Sequence, residues 1–187
     1  MNLTLDYMLA NHCAPTLSGL KPANLIAYAV SSSPFNDPRF EETQVALGTK
    51  HIEWIQLCQV GGRELALVIN RKMLEKHMAQ PQVWGFLFFH GYPMYRQLDA
   101  IIDHLKQRVL MEGDFPHEVG AFLGYPIEDV MGFIKNKGQN CKACGYWKVY
   151  GDTQLALKQF DLFTKSREIL CNRLKEGQTI AQIVMNT

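Results

Sequence analysis

The pair Gly61-Gly62 constrains the fold of this chain most, because it separates two apolar segments, 52–60 and 64–70. Two adjacent glycines can both adopt positive φ, which a two-residue turn between antiparallel strands requires. A third apolar segment, 24–30, is followed by a run of serines and is a candidate for a neighbouring strand. After Asn70 the apolar residues follow helical spacing over most of the chain. The pattern predicts a small antiparallel sheet with many helices.

The full prediction is one α+β domain over residues 1–187, because this length is ordinary for a single domain. About four strands form a small antiparallel sheet, the fourth being 146–150, and six to eight helices cover it. Pro15 should end the first helix, since proline lacks the backbone N–H that a continuing helix needs. The predicted helices include 3–12, 37–48, one around 98–105, one around 127–134, one from Asp152 to about Glu176, and 179–185.

Charge and hydropathy limit the classes of partner. The chain has 19 Lys and Arg residues against 18 Asp and Glu residues, a formal net charge of +1, which disfavours binding to nucleic acid or to an acidic membrane. The longest apolar run, 83–89, is far shorter than the roughly 20 residues that span a bilayer. Residues 1–6 lack the basic start and apolar core of a signal peptide. These features predict a cytoplasmic protein.

The pair Cys141 and Cys144 is the first candidate for chemistry. The chain has five cysteines, and in a cytoplasmic protein an odd number indicates thiols or metal ligands rather than disulfides. Two thiols three residues apart can hold one metal ion or form a small-loop disulfide. A closed zinc site needs about four ligands, so Cys13, Cys171 or a histidine would have to complete it. An unpaired and inactive thiol pair is the alternative.

The segment His12–Thr16 places a second thiol, Cys13, beside polar residues. A phosphate-binding cysteine loop would need an arginine six residues later, but Gly19 stands there, which excludes a cysteine phosphatase. A thiol near a helix C-terminus is disfavoured as a thiolate, although Lys21 could offset that effect. Thr16 could hold an oxyanion or form a turn. The alternative is a buried cysteine in a tight turn.

His117 and Glu118 follow Pro116, a residue typical of a first helical turn, with Asp114 as the predicted cap. A histidine at a helix start tends to stay neutral, which suits metal ligation or general-base catalysis. The alternative is that His117 and Glu118 only complete the helix cap.

Three segments carry a resemblance to a known family: HCAPTLSGLK at 12–21, FPHEVGAFLGYPIEDV at 115–130 and NCKACGYWKVYGD at 140–152. On these segments the chain resembles the bacterial family defined by domain of unknown function 3793. The resemblance implies a single cytoplasmic domain and, through associated iron-acquisition and flavodoxin genes, a flavodoxin-like partner. The matching positions are Cys13, Pro15, Thr16, Lys21, Pro116, His117, Glu118, Cys141, Trp147, Lys148 and Tyr150.

Three functions remain open on the sequence. The first is a thiol-centred metal or redox site that joins Cys13, His117 and Glu118 to Cys141 and Cys144. It would hold zinc or iron, with Lys21 and Lys148 adjusting the charge near the sulfurs. The second is an enzyme with Cys13 as nucleophile, His117 as base and Thr16 at the oxyanion. The third is a non-catalytic module that binds a flavodoxin-like protein or a small molecule. The first two functions assume that distant segments converge in space.

Overall fold

A computed structural model describes residues 4–93, 97–111 and 115–186. The chain forms two compact units: residues 74–162 form unit two, and 1–73 together with 163–187 form unit one. The predicted α+β class is confirmed, whereas the prediction of a single domain remains a prediction. The described residues contain nine α-helices: α1 (Leu5–Leu17), α2 (Phe40–Thr49), α3 (Arg71–Met78), α4 (Pro81–Phe89), α5 (Leu98–Leu110), α6 (Val119–Phe122), α7 (Ile127–Lys135), α8 (Thr153–Lys175) and α9 (Ile180–Met185).

Unit one contains a three-stranded antiparallel sheet. Its strands are β1 (Ala23–Ala29), β2 (Ile52–Val60) and β3 (Arg63–Asn70), with β3 in the centre. Gly61 and Gly62 have φ of 58° and 76°, the positive values that a two-residue hairpin turn requires. The hairpin and the first three strands are therefore confirmed to within one residue.

The core of unit one consists of apolar residues that recur at strand spacing along the sheet and at helical spacing along the helices. Ala66 and Val68 alternate along β3 and contribute to the same apolar cluster as Leu9 of α1 and Ile180 of α9. The Asp6 carboxylate accepts the backbone N–H of Ile180 at 3.2 Å, which fixes the start of α9 against α1. Residues from both ends of the chain thus complete one core.

The predicted end of the first helix is wrong, because α1 continues through Pro15 to Leu17. Proline removes a single backbone donor, and here it does so in the last turn, where little of the helix remains to be disrupted. The helix is terminated two residues after Leu17 by Gly19, which has φ of 67°. The N–H of Leu20 donates to Pro15 O at 2.8 Å, and that of Gly19 donates to Thr16 O at 3.1 Å, which together form a Schellman cap.

Unit two is mainly helical. The apolar face predicted around 98–105 is confirmed: Leu98, Ile101, Ile102 and Leu105 of α5 are all buried. Of the second predicted face, only Val130 is buried, while Met131 on α7 is 56% exposed. No helix of residues 4–93, 97–111 and 115–186 is long and apolar enough to cross a membrane.

The predicted fourth strand does not join the sheet of unit one. Only Lys148 and Val149 form a strand, β5, and it pairs with β4 (Ala143–Cys144) in a separate two-stranded ribbon in unit two. A two-residue strand paired with its immediate neighbour satisfies its backbone locally, so it needs no place in the larger sheet. The predicted start of the long helix at Asp152 is confirmed, since Asp152 accepts the N–H of Leu155. The helix predicted at 179–185 is also present, and the structure adds its cap, Thr179, which accepts the N–H of Gln182.

Candidate functional site

Unit two contains a cavity of about 290 Å³ that is bordered by helices α6 and α7 and by the β4–β5 ribbon. We call it the aromatic cavity. Its lining residues are His117, Val119, Gly120, Tyr125, Asp129, Val130, Phe133, Cys144, Gly145, Trp147 and Lys148. Imidazole, thiol and amine groups thus border one space whose remaining walls are mostly aromatic or aliphatic.

Asp129 of α7 holds the ribbon in place. One carboxylate oxygen accepts the indole N–H of Trp147 at 2.7 Å, and the other accepts the backbone N–H groups of Tyr150 and Gly151, each at 2.7 Å. The residue is 3% exposed, so its charge is stabilised by these three donors rather than by water. Asp129 therefore fixes the end of the ribbon, and with it one wall of the cavity.

Glycines allow the ribbon to pack closely against its neighbours. A Cβ atom on Gly132 of α7 would lie 2.5 Å from atoms of the Tyr150 side chain, and one on Gly145 would lie 2.4 Å from the Phe160 ring. Both distances are shorter than real Cβ contacts. Any larger residue at either position would push the ribbon away from the helices.

Stacked rings form one wall of the cavity. The rings of Tyr125 and Trp147 lie 5.0 Å apart at 28°, and Trp147 also meets the Phe160 ring edge-on at 4.5 Å. The hydroxyl of Tyr125 donates to the carbonyl of Tyr146 at 3.2 Å. Burial raises the pKa of Tyr125 to about 12, so the phenol stays neutral at physiological pH. This wall is apolar and flat, and suits a planar ligand.

Two basic groups also line the cavity, Lys148 and His117. Lys148 Nζ donates to the carbonyl of Gly138 at 2.6 Å and lies 5.9 Å from the centre of the Phe133 ring. The His117 ring meets Phe133 edge-on, with its centre 5.0 Å away. Phe133 thus lies beside both the imidazole and the amine, and one carbonyl leaves the ammonium with further donors for a ligand.

Two thiols lie on the ribbon and next to it. Cys144 is exposed and pairs with Lys148 across the ribbon, while Cys141 is half-buried. Directly opposed residues of two antiparallel strands place their side chains within about 5.5 Å of each other. The Tyr150 hydroxyl is buried without a hydrogen-bond partner. Burial, followed by the influence of Cys141, Asp129 and Cys144, raises the pKa of Tyr150. Both thiols therefore lie within electrostatic range of this hydroxyl.

Comparison with known families decides the classification of the chain. The model of a family described as protein of unknown function, DUF3793, matches residues 9–184. The chain belongs to the DUF3793 family. This confirms the resemblance found in the sequence. No curated protein and no solved structure matches the chain.

In this DUF3793 protein, Glu118 serves a different partner from the one predicted. Its side chain is 3% exposed, and Oε1 accepts Arg108 Nε at 2.8 Å. This ion pair raises the pKa of Arg108. Glu118 occupies the cap position of α6, but its side chain makes no capping hydrogen bond. Its neighbour His117 lines the aromatic cavity, and Asp114, the predicted cap, lies outside the described residues.

Cys13, Thr16 and Lys21 of the DUF3793 chain are buried in unit one. Burial raises the pKa of the Cys13 thiol to about 12, although the charge of Lys21 opposes this shift. Burial lowers the pKa of Lys21 to about 8, with Cys13 opposing. Thr16 Oγ1 donates to Asn24 Oδ1 at 2.7 Å, inside the protein. At neutral pH the Cys13 thiol is therefore protonated and shielded from solvent, which disfavours nucleophilic attack.

The structure brings together only part of the predicted site. His117, Cys144 and Lys148 line one cavity, whereas Cys13, Thr16 and Lys21 belong to the other unit. Within the described part of the chain, no three His, Cys, Asp or Glu side chains form a group that could hold a metal ion. The residue that sequence reasoning missed is Asp129. Its signal is a carboxylate four residues before Phe133, on the same face of an amphipathic helix.

Proposed function

We propose that this protein binds a small anionic molecule in the aromatic cavity and that Cys144 is the thiol which that molecule contacts. The observation that carries the proposal is the shared cavity of Cys144, Lys148 and His117. A volume of about 290 Å³ is at the small end of ligand sites, so the molecule is the size of a metabolite rather than a peptide.

The chemistry of the lining specifies the ligand. Lys148 supplies an ammonium, and Asp129, the one carboxylate among the described residues that line the cavity, has both oxygens occupied by donors of the ribbon. The basic groups of the cavity therefore favour an anion, while Tyr125 and Trp147 offer flat apolar surface. A planar or short apolar carboxylate satisfies both walls.

Cys144 is a better reactive thiol than Cys13. Cys144 is exposed and lies opposite a lysine, whereas Cys13 is fully buried with a pKa raised to about 12. A nearby cation stabilises a thiolate and attracts an anionic electrophile. In this proposal His117 is the neighbouring base, the role that the sequence predicted for it, and Cys13 has no part.

Two alkylating agents of similar size test the proposal. Iodoacetate carries a negative charge and iodoacetamide does not, so their relative rates at each cysteine report the local charge. We expect the ratio of iodoacetate to iodoacetamide labelling to be higher at Cys144 than at Cys171. At Cys144 this labelling ratio should fall about fourfold in Lys148→Met, because the variant removes one positive charge that lies at about 5 Å from the thiol in an exposed setting. Peptide mass spectrometry measures the rate at each site.

Lys158→Met is the matched control, because this exposed lysine of α8 does not line the cavity. It should leave the ratio at Cys144 unchanged. Equal ratios at Cys144 and Cys171 in the wild-type protein would contradict the proposal, as would an equal effect of the two lysine variants.

A second candidate is dithiol redox chemistry at Cys141 and Cys144, and it is favoured by their different exposure. An exposed thiol can attack a disulfide, and a half-buried partner can then resolve the mixed disulfide. The dithiol would lose two electrons and two protons to an acceptor. The flavin of the predicted flavodoxin-like partner is one such acceptor. A cytoplasmic location, as the sequence predicts, would keep both thiols reduced at rest.

Equilibration in glutathione buffers, followed by alkylation, measures this redox reaction. We expect a Cys141–Cys144 disulfide to form at a defined ratio of oxidised to reduced glutathione, and Cys141→Ser to leave Cys144 as a mixed disulfide. A pair that stays reduced at every ratio would exclude this candidate.

Metal binding by Cys141, Cys144, Cys13 and His117 has less support. A closed zinc site needs about four ligands, and the described residues supply no cluster of three. Metal analysis of protein purified without oxygen or an affinity tag tests it. Near-stoichiometric zinc or iron that is lost in a Cys141→Ser/Cys144→Ser double variant would establish the site.

A further inference from the structure

A second concave surface of unit two lies between α4 and α7 and has a volume of about 570 Å³. We call it the α4–α7 groove. Its lining residues are Gln82, Gly85, Phe86, Phe89, His90, Ile127, Met131, Ile134 and Lys135. None of them lines the aromatic cavity, so the groove is a separate candidate site.

The groove leaves large apolar side chains uncovered. Phe89 is 86% exposed, Met131 is 56% exposed, and both border the same space. Single exposed apolar residues are common, but a concave group of them usually marks a binding site. Met131, on the apolar face predicted around 127–134, therefore belongs to this surface rather than to the core of unit two.

Gly85 is an independent indication of an occupant. It lies inside α4, where glycine costs roughly 0.5–1 kcal/mol of helix stability relative to alanine. Its backbone has no positive φ, and a Cβ atom built on it would meet no atom of the described residues within 4 Å. Neither turn geometry nor internal packing requires this glycine. A molecule that lies against the helix backbone in the groove would require it.

Charge identifies the class of occupant. Lys135 is exposed at the rim, and among the described residues none forms an ion pair with it and no Asp or Glu lines the groove. His90 uses Nδ1 to contact Phe86 O at 2.8 Å, which leaves Nε2 available as a second polar contact. The occupant should be apolar along its length and anionic at one end.

The dimensions agree with a single extended chain. Helices α4 and α7 have nine residues each, which corresponds to about 13 Å of helix. A volume of about 570 Å³ lies within the usual range of small-molecule sites. We propose that the α4–α7 groove binds the acyl chain of a medium-length fatty carboxylate, with Lys135 paired to its carboxylate.

Fluorescence titration with a dansyl-labelled undecanoic acid, below its micelle concentration, tests this site. We expect saturable binding by the wild-type protein and displacement by dodecanoate. Gly85→Leu should abolish binding, because Gly85 lines the groove and its Cβ position is open, so the new side chain would occupy the groove. Lys135→Glu should weaken binding about tenfold, since an attraction becomes a repulsion. Dodecanol, which has no charge, should displace the probe equally well from the wild-type protein and from Lys135→Glu.

Matched controls separate the groove from general effects. Gly48→Leu changes another helical glycine whose Cβ would meet nothing, and Lys158→Glu reverses another exposed lysine. Both should bind the probe like the wild-type protein. Circular dichroism checks that Gly85→Leu is folded, and the labelling ratio at Cys144 should remain normal in it. The proposal for the groove and the proposal for the aromatic cavity can therefore be contradicted independently of each other.

Two results would overturn the proposal. One is the absence of saturable binding, or binding that is unaffected by Gly85→Leu and Lys135→Glu. The other is a concentration-dependent dimer, seen by sedimentation, that Gly85→Leu dissociates while the wild-type protein binds no probe. In that case a second copy of the chain covers the groove.

Discussion

Asp129 connects α7 to the ribbon through three short hydrogen bonds, and each donor depends on this one carboxylate. We predict that Asp129→Ala destabilises the protein by about 3–5 kcal/mol, because three N–H groups lose their partner inside the protein. Urea unfolding followed by tryptophan fluorescence measures the free energy. Asp103→Ala is the control, since the exposed Asp103–Lys106 pair should contribute less than about 1 kcal/mol. Similar effects of the two substitutions would contradict this role.

Lys21 makes stability depend on pH. Its pKa is lowered to about 8 in the folded protein, from 10.5, so the folded state releases its proton first as pH rises. The free energy of unfolding should therefore increase by about 1 kcal/mol between pH 7 and pH 9. Cys13, with its pKa raised to about 12, acts in the opposite direction above pH 9, because only the unfolded state then loses the thiol proton.

The variant Lys21→Met removes the first of these two effects. We expect the difference in unfolding free energy between variant and wild type to shift in favour of the wild type as pH rises from 7 to 9. Urea titrations at several pH values measure this difference. A difference that does not vary with pH would show that Lys21 has an ordinary pKa in the folded protein.

At the scale of elements, two helical glycines should respond oppositely to alanine. Gly132→Ala should destabilise unit two by about 1–3 kcal/mol, because its Cβ would overlap Tyr150. Gly85→Ala should stabilise the protein by about 0.5–1 kcal/mol, because its Cβ meets nothing and alanine favours the helix. Thermal unfolding of both variants measures the two signs. Stabilisation by both substitutions would show that helix propensity, rather than ribbon packing, decides the outcome at Gly132.

The elements also show what the sequence could predict. The β2–β3 hairpin and the cap of α8 at Asp152 depend on neighbouring residues, and the sequence predicts both correctly. The predicted end of α1 was wrong, because the cap at Gly19 outweighs the lost donor of Pro15. The partner of β5 was also missed, since short apolar segments do not reveal which strand they pair with.

The candidate site was predicted only in part, because residue chemistry is visible in the sequence and tertiary packing is not. His117, Cys144 and Lys148 were chosen for their chemistry, and they line one cavity. The burial of Cys13 and the contacts of Asp129 depend on tertiary packing, which no local pattern encodes. The family match at residues 9–184 gives the classification but no reaction.

At the scale of the whole molecule, unit one depends on its last helix. Ile180, Ile183 and Val184 of α9 are buried in the same cluster as Leu9 of α1. Each buried aliphatic side chain contributes about 1.5–3 kcal/mol, and a protein's total stability is about 5–15 kcal/mol. We predict that deletion of residues 179–187 unfolds unit one. Limited proteolysis should then cleave within β1–β3, whereas Gln178→Ala, an exposed change beside the deletion, should leave these strands protected.

The chain order of the two units has a consequence during translation. Residues 74–162 are contiguous, whereas unit one combines 1–73 with 163–187. Every residue of unit two is therefore synthesised before the final segment of unit one. The apolar faces of α1 and the sheet therefore stay exposed until α9 is made and packs on them. A chaperone is expected to bind the nascent chain during this interval.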